Sequence, residues 1–166
     1  MSRTIRRLVL VAAALATISC DRVTKHVAVT TLAGTEGRSY LGDMVRLGYT
    51  ENPGGFLSLG ASLPPGARSV LFTAITGAML VVVTVLAVRR GMQSWPALGV
   101  TLFVAGGASN WIDRILRGFV VDFLNVGIGP VRTGVFNVAD MAIMFGSGIL
   151  VLGEWSAIRR LTDGGR

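Results

Sequence analysis

Four long apolar stretches constrain this 166-residue chain more than any other feature of its sequence. A helix that crosses a membrane needs roughly 20 mostly apolar residues, because about 30 Å of hydrocarbon is covered at about 1.5 Å per residue. The segments that meet this requirement are 8–29, 70–88, 94–115 and 136–155. We therefore expect a single all-α membrane domain over residues 1–166 with four transmembrane helices, and two outer loops at about 30–69 and 116–135.

The composition favours a chain with little mass outside the bilayer. Apolar residues make up 51% of it and charged residues only 15%, with a mean hydropathy of +0.62. Soluble domains carry about 25% charged residues, so a soluble surface could not be covered here. The high hydrophobicity excludes a disordered chain, and the single cysteine, Cys20, excludes a disulfide scaffold.

The basic residues predict the orientation of these spans. With four spans, both termini and the turn at 89–93 share one side, which carries eight of the sixteen Lys and Arg residues but two of the nine acids. The more basic side faces the cytoplasm, so we expect cytoplasmic termini. The net charge of +7 is then a topology signal, and no nucleic-acid partner is expected because the bases do not cluster on a soluble face.

The N-terminus has a second interpretation. Arginines, an apolar run and the segment 17–20, which ends in Cys20, are also typical of a secretory signal that stops at a lipidated cysteine. The helix pattern continues through Asp21 to Lys25 and three further spans follow, which favours an uncleaved first helix. On that interpretation Cys20 is a small buried thiol without chemistry.

The outer loops contain short local patterns. Partial alternation over 44–51 predicts a short strand, and 52–55 is typical of a turn. The second loop, 116–135, contains four glycines and no comparable pattern.

Ionisable and amide side chains collect at one depth of the predicted bundle. A charge at the centre of a span costs roughly 2.5–3.5 kcal/mol on insertion scales, so each such residue is a candidate functional group. They lie at the outer ends of the first, third and fourth spans and in the loop joining the last two: Asp21, Lys25, Asn110, Asp113, Arg114, Asp122, Asn137 and Asp140. Four aspartates therefore converge on the outer leaflet.

Two of these groups have a structural interpretation beside the functional one. Asp21 and Lys25 are four residues apart with the acid first, which favours a helical ion pair, although either could instead orient a substrate. Asp113 shares a helix face with an asparagine three residues before it, and we expect it to pair with Arg114 or Arg117 in a network that holds the helix end.

The last two acids differ in how well a structural role explains them. Asn137 suits a helix N-cap with Asp140 in the third helical position, where an acid is favoured. Asp122 lies within Val-Val-Asp-Phe-Leu, whose apolar neighbours favour burial, so a solvated loop charge explains it poorly. Two carboxyl groups brought close together cannot both ionise readily, which suits general acid and base catalysis.

Other chemistries lack the residues they need. One cysteine and one histidine in the chain cannot form a zinc site. Serine–lysine catalysis would need a serine close to Lys25, and no serine has a distinctive context there. Magnesium binding by the aspartates stays open at this point. So do three other functions: a proton- or cation-coupled transporter, a magnesium-dependent membrane phosphotransferase and a non-catalytic assembly subunit.

Five short motifs occur in order along the chain: Asp21-Arg22-Val23-Thr24-Lys25, Glu51-Asn52-Pro53-Gly54-Gly55-Phe56, Asn110-Trp111-Ile112-Asp113-Arg114, Gly118-Phe119-Val120-Val121-Asp122-Phe123 and Phe136-Asn137-Val138-Ala139-Asp140. Together they resemble the bacterial lipoprotein signal peptidases (signal peptidase II) over essentially the whole chain. One spacing departs from the family's Asn-x-Gly-x-x-Phe, because Asn52 and Phe56 are one position closer here.

The resemblance implies an inner-membrane aspartyl endopeptidase. Such an enzyme removes the signal peptide from diacylglyceryl-modified prolipoproteins by cutting just before the lipidated cysteine. The family's catalytic dyad falls on Asp122 and Asp140, and its supporting residues fall on Asp21, Lys25, Asn52, Asn110, Asp113, Arg114 and Asn137.

The resemblance also implies the surroundings of that site. The family fold adds a small periplasmic β-cradle and a short periplasmic helix to the four spans. The expected partners are prolipoprotein substrates, membrane lipids and inhibitors of the globomycin type. We expect a monomer with neither metal nor other cofactor.

Overall fold

Four long helices and one small sheet make up the part of the chain that the computed structural model describes, residues 2–53, 62–64, 66–67, 70–92 and 95–163. The helices are α1 (Arg3–Leu32), α2 (Thr76–Arg89), α3 (Trp95–Arg117) and α4 (Val138–Asp163). A π-helical segment, Val70–Ile75, leads into α2. The strands are β1 (Arg38–Tyr40), β2 (Val45–Asn52), β3 (Val120–Ile128) and β4 (Val131–Arg132).

Each predicted span corresponds to one of these helices. Among the described residues, two helical stretches are long and apolar enough to cross a membrane by themselves: Val70–Arg89, with a mean hydropathy of 2.5, and Val138–Trp155, with 1.4. Helices α1 and α3, of 30 and 23 residues, also have the length to cross, but polar residues interrupt their apolar surface. That these two helices also span the membrane stays a prediction.

Helix α3 lies at the centre, and α1, α2 and α4 each pack against it. The crossing of α3 and α4 is close because glycines lie where the backbones meet. A Cβ atom at Gly106 would lie 2.4 Å from the Ala139 oxygen, and one at Gly146 would lie 2.6 Å from the Gly99 oxygen. Small residues permit such approach between helices in a membrane. The first turn of α4 is thereby held against α3.

The sheet is antiparallel in the order β1-β2-β3-β4. Strand β2 confirms the strand predicted at 44–51. The second outer loop, for which no strand was predicted from its pattern, contains β3 and β4, so the placement of Asp122 in a loop is wrong: the residue lies in β3. The strand was missed because it is stabilised by hydrogen bonding to β2, in which Thr50 lies opposite Asp122. A single short apolar run does not reveal such a partner strand.

The sheet packs on the bundle where α1 and α3 end and α4 begins, which we call the sheet end. Ala28 and Leu32 of α1 form a buried apolar cluster there with Val121 of β3. The buried residues of α1 follow helical spacing, with Asp21 and Lys25 continuing the same stripe. Cys20 lies off that stripe and is exposed, so the prediction of a buried thiol is wrong.

Two predictions concern residues that the structure describes only in part. The predicted turn at 52–55 is described only as far as position 53, and the motif residue Phe56 lies outside the described residues. The described elements contain no separate short helix apart from two helical residues at 66–67. The short helix therefore stays a prediction.

Candidate active site

All nine residues predicted to form the site lie at the sheet end. Seven of them are no more than 5% exposed: Asp21, Lys25, Asn52, Asn110, Asp113, Asp122 and Asn137. Asp140 and Arg114 are partly buried beside them. Buried polar groups are costly unless they are hydrogen-bonded, so their partners decide what this cluster can do.

Asp122 enters the cluster from β3 and is 2% exposed. Its Oδ1 accepts a hydrogen bond from Asn137 Nδ2 at 2.6 Å, and its Oδ2 accepts one from Asn52 Nδ2 at 2.8 Å. Strand pairing supplies the second contact, because Asn52 is the last residue of β2 and lies opposite Val120. Burial raises the pKa of Asp122 to about 6, the negative charge of Asp140 adds to this, and the two amide donors oppose it.

Asp140 is held by the start of α4. Asn137 Oδ1 accepts a hydrogen bond from the Asp140 backbone nitrogen at 2.9 Å, and Asp140 Oδ2 accepts one from the Asn137 nitrogen at 3.2 Å. This reciprocal pair confirms the predicted N-cap. The remaining oxygen, Oδ1, accepts a hydrogen bond from Asn110 Nδ2 at 2.8 Å. The carboxyl group is thus fixed both to its own helix and to α3.

One fully buried residue, Asn137, contacts both predicted dyad members. Its side-chain nitrogen binds Asp122, and its backbone nitrogen binds Asp140. The same side-chain nitrogen also lies 3.2 Å from Asn110 Oδ1. The two carboxyl groups, from a strand and a helix, are therefore held around one asparagine.

Beneath the two aspartates lies a buried ion cluster centred on Lys25. Its ammonium is 2.8 Å from Asp21 Oδ2, 2.9 Å from Asp113 Oδ2 and 2.7 Å from Asn110 Oδ1. The predicted pair of Asp21 and Lys25 is confirmed. The ammonium can only donate, so it binds the oxygen of the Asn110 amide and directs the amide nitrogen toward Asp140.

Asp113 has several basic neighbours. Besides Lys25, it pairs with Arg22 and lies 3.8 Å from Arg117 Nε, so one of the two alternatives predicted for it is confirmed. Arg114 has a different position. Its guanidinium lies 5.8 Å from the centre of the Phe72 ring, and it donates a hydrogen bond to the Asn110 carbonyl at 3.4 Å.

Two contacts in the cluster were missed from the sequence. Ser109, fully buried, donates a hydrogen bond to Asp21 Oδ2 at 2.6 Å. The other oxygen of Asp21 accepts one from the Ala139 backbone nitrogen at 2.8 Å, so α1 also caps α4. The only available signal for Ser109 was its spacing of four residues from Asp113, which places both on one helix face.

A cavity of about 270 Å³ opens beside Asp140 between α2, α3 and α4. Its walls are mainly apolar, and its polar side chains from this cluster are Asn52, Asn110, Arg114 and Asp140. Apolar walls with a few convergent polar groups are typical of ligand sites. An extended apolar ligand in this cavity would lie against the Asp140 carboxyl group.

The oxygens of the buried acids already have protein partners. Asp122 binds two amides, whereas Asp21 and Asp113 bind Lys25. Within the described part of the chain, no three His, Cys, Asp or Glu side chains are grouped so that they could share a metal ion.

Comparison with known proteins identifies the family. Residues 13–156 match the family model described as Signal peptidase (SPase) II. The chain belongs to the signal peptidase II family. This confirms the resemblance that the five sequence motifs carry.

Several signal peptidase II relatives match over most of their length. The lipoprotein signal peptidase of Moorella thermoacetica is 34% identical over 140 residues, covering 82% of this chain and 86% of that protein. The one from Mycobacterium tuberculosis (strain ATCC 25618 / H37Rv) is 37% identical over 155 residues, covering 89% and 71%. Membership of this signal peptidase II family makes the chain a peptidase.

The fold is also that of a known structure. A bacterial membrane enzyme solved by the in meso method at 2.3 Å resolution superposes with a TM-score of 0.78 at 22% identity, covering 93% of this chain and 90% of that one. Together with the two apolar helices of spanning length, family and fold indicate a membrane-embedded bacterial protein.

Proposed function

We propose that this signal peptidase II is an aspartyl endopeptidase of the bacterial inner membrane. It removes the signal peptide from diacylglyceryl-modified prolipoproteins and cuts just before the lipidated cysteine. The relatives named lipoprotein signal peptidases support the class of substrate. The arrangement of the buried acids supports the chemistry.

The observation that carries the proposal is the position of Asn137 between Asp122 and Asp140. Two carboxyl groups held around one residue cannot both ionise readily, so they share one proton. The ionised member takes a proton from water, which attacks the scissile carbonyl. The protonated member polarises that carbonyl and then donates its proton to the leaving amine.

The amides and the ion cluster position this dyad. Asn52 and Asn137 each donate to Asp122, which limits the ways in which its carboxyl group can turn. Lys25 orients Asn110, which in turn binds Asp140. Lys25 is thus a positioning residue, since it acts on the dyad through Asn110.

We place the sheet end at the periplasmic surface, with all four helices crossing the bilayer. The signal helix of the substrate then lies in the membrane beside the cavity of about 270 Å³, and its scissile bond reaches Asp140 at the cavity's polar end. We also propose that inhibitors of the globomycin type bind in the same cavity and that the enzyme is a monomer.

The transporter alternative predicts a polar path that continues to the other side of the membrane. Among the described residues, the buried polar side chains are those of the site itself, at the sheet end: Asp21, Lys25, Asn52, Ser109, Asn110, Asp113, Asp122 and Asn137. This distribution favours a site at one surface over a path through the bundle.

The experiment is a gel-shift assay with the purified full chain and diacylglyceryl-modified prolipoprotein. We expect Asp122→Asn and Asp140→Asn each to lower the cleavage rate by about 10³-fold or more, because each removes one half of the proton transfer. A chelator should leave the wild-type rate unchanged, whereas a magnesium-dependent enzyme would lose activity.

Asp43→Asn is the matched control. Asp43 is an exposed aspartate in the β1–β2 turn with φ 71°, a conformation that asparagine tolerates well. We expect this variant to cleave within about twofold of wild type. Turnover by either dyad variant within about tenfold of wild type would refute the assignment.

A further inference from the structure

A second cavity, of about 460 Å³, lies far from the acids, at the end of the bundle opposite the sheet. We call it the arginine groove. Helices α1 and α2 form its sides, and α3, against which both pack, forms its floor. Its walls are mostly apolar and include small residues such as Ala14, Ala105 and Ala108. Neither the proposed proton transfer nor the cavity beside Asp140 uses this groove.

The mouth of the groove is basic. Arg6 and Arg7 of α1 line it, and α2 ends beside it at Arg89, followed by Arg90. No acidic residue is among those that line the groove. Each Lys or Arg near an anionic membrane surface contributes about 1 kcal/mol of attraction. The mouth therefore attracts a negatively charged group.

The length of the groove matches one leaflet of a bilayer. From Arg7 to Ile18, both of which line it, α1 rises about 17 Å at about 1.5 Å per residue. Half of the hydrocarbon core is about 15 Å thick. With the N-terminus in the cytoplasm, the arginines lie at the depth of the inner headgroups and the apolar walls at the depth of the acyl chains.

We propose that the arginine groove binds one anionic phospholipid of the inner leaflet, with its phosphate at Arg6 and Arg7 and an acyl chain along the apolar walls. This inference rests on the proposed orientation of α1 and is independent of the proposed peptidase chemistry. The bound chain supplies the contacts that the sides and the floor of an unfilled groove lack, and it thereby braces α1 and α2 against α3.

The first test compares headgroups. The purified full chain in detergent is titrated with phosphatidylglycerol or with phosphatidylcholine, and retained lipids are counted by native mass spectrometry. We expect one phosphatidylglycerol to bind at least about tenfold more tightly than phosphatidylcholine. Equal retention of both lipids would overturn the proposal.

Charge variants locate the headgroup. We expect Arg6→Gln and Arg7→Gln each to weaken phosphatidylglycerol binding by about fivefold. Arg159→Gln removes the same charge from α4, outside the groove, and should change binding by less than about twofold. A loss of equal size in all three variants would indicate attraction to the surface alone and would overturn the site.

Size variants locate the acyl chain. Ala14→Phe places a ring in the groove and should abolish the tight binding, whereas Ala12→Phe, at an exposed position two residues away and outside the lining, should leave it unchanged. Equal effects of the two variants would contradict the proposal.

A measurement on the wild-type chain covers the case in which a variant does not fold. Phosphatidylglycerol with a photoreactive acyl chain should crosslink to groove residues such as Val11 and Val104, in preference to Ala12 and Leu15, which lie on α1 outside the groove lining. Crosslinks spread evenly around α1, or dimers of the chain in place of lipid adducts, would overturn it. If the proposed peptidase function proved wrong, the expected results of these lipid-binding experiments would not change, because none of them requires cleavage.

Discussion

Opposing effects act on the pKa of Asp122. Two amide nitrogens, from Asn52 and Asn137, donate to its oxygens and favour the ionised form. Burial and the negative charge of Asp140 favour the protonated form and prevail, since the pKa of Asp122 is raised to about 6. A carboxyl group with a pKa near neutrality can both accept and return a proton, which is what a peptidase dyad requires.

This raised pKa predicts how activity depends on pH. The dyad needs one proton, and the fraction that retains it falls about tenfold per pH unit once the pH exceeds the higher pKa of the pair. We expect kcat/KM to decline on the alkaline side from about pH 6 upward, because Asp122 is then progressively ionised. Initial rates on lipidated prolipoprotein between pH 4 and 9 measure this, with Asp43→Asn as the control; a flat profile above pH 6 would contradict it.

At the scale of elements, the start of α4 is fixed by residues from three other parts of the fold. Asp21 of α1 accepts from the Ala139 nitrogen, Asn110 of α3 binds Asp140, and β3 contributes Asp122 to the side chain of Asn137. The helix N-terminus favours acidic groups because its free backbone N–H groups and its dipole are positive. Local helix capping and the candidate catalytic geometry therefore depend on the same contacts.

Replacement of two N-caps separates these roles. Asn137→Ala removes the cap of α4 and one donor to Asp122, so we expect a loss of about 1–2 kcal/mol in stability and at least about a hundredfold in kcat. Ser2→Ala removes the cap of α1, where the Ser2 hydroxyl accepts from the Ile5 nitrogen at 3.2 Å, and should leave kcat within about twofold. Thermal unfolding in detergent and the cleavage assay measure both. If Asn137→Ala had the same kcat as Ser2→Ala, Asn137 would only cap its helix.

The close crossing of α3 and α4 gives a second prediction. Gly106→Ala places a Cβ atom 2.4 Å from the Ala139 oxygen, so α4 must move away and we expect a loss of about 1–3 kcal/mol in stability together with lower activity. Gly148→Ala on α4 meets nothing within 4 Å and should stabilise the helix by about 0.5–1 kcal/mol. The midpoints of thermal unfolding test this pair. A stable, active Gly106→Ala would show that the crossing tolerates separation.

The helices could be predicted from the sequence, because an apolar run of about 20 residues specifies a helix of spanning length without information from the rest of the chain. The N-cap at Asn137 and the ion pair of Asp21 with Lys25 are local in the same sense. The pairing of β2 with β3 and the contact of Ser109 with Asp21 are not. They join residues far apart in sequence, 88 positions in the case of Ser109, and a lone serine in a helix carries no pattern.

At the scale of the whole molecule, the two ends of the bundle differ in chemistry. The sheet end pairs its buried charges, with Lys25 between Asp21 and Asp113. The opposite end carries two groups of arginines, one at the start of α1 and one at the end of α2. Neither group is interrupted by an acidic residue in the sequence. Basic residues are retained on the cytoplasmic side during insertion, so this asymmetry predicts that the sheet and the aspartates lie on the periplasmic side.

Cysteine accessibility tests this orientation. In a Cys20→Ala background, Glu36→Cys and Ile128→Cys mark the two segments at the sheet end, whereas Thr4→Cys and Met92→Cys mark the opposite end. A membrane-impermeant maleimide added to spheroplasts should label only the first pair, and added to inverted vesicles only the second. Helix α1 joins positions 4 and 36, and α3 joins positions 92 and 128. Opposite labelling of positions 4 and 36 therefore requires α1 to cross the membrane, and opposite labelling of positions 92 and 128 requires α3 to cross. Labelling of positions 4 and 36 from the same side would leave α1 on one face of the membrane, and Asp21 and Lys25 would then no longer lie within a spanning helix.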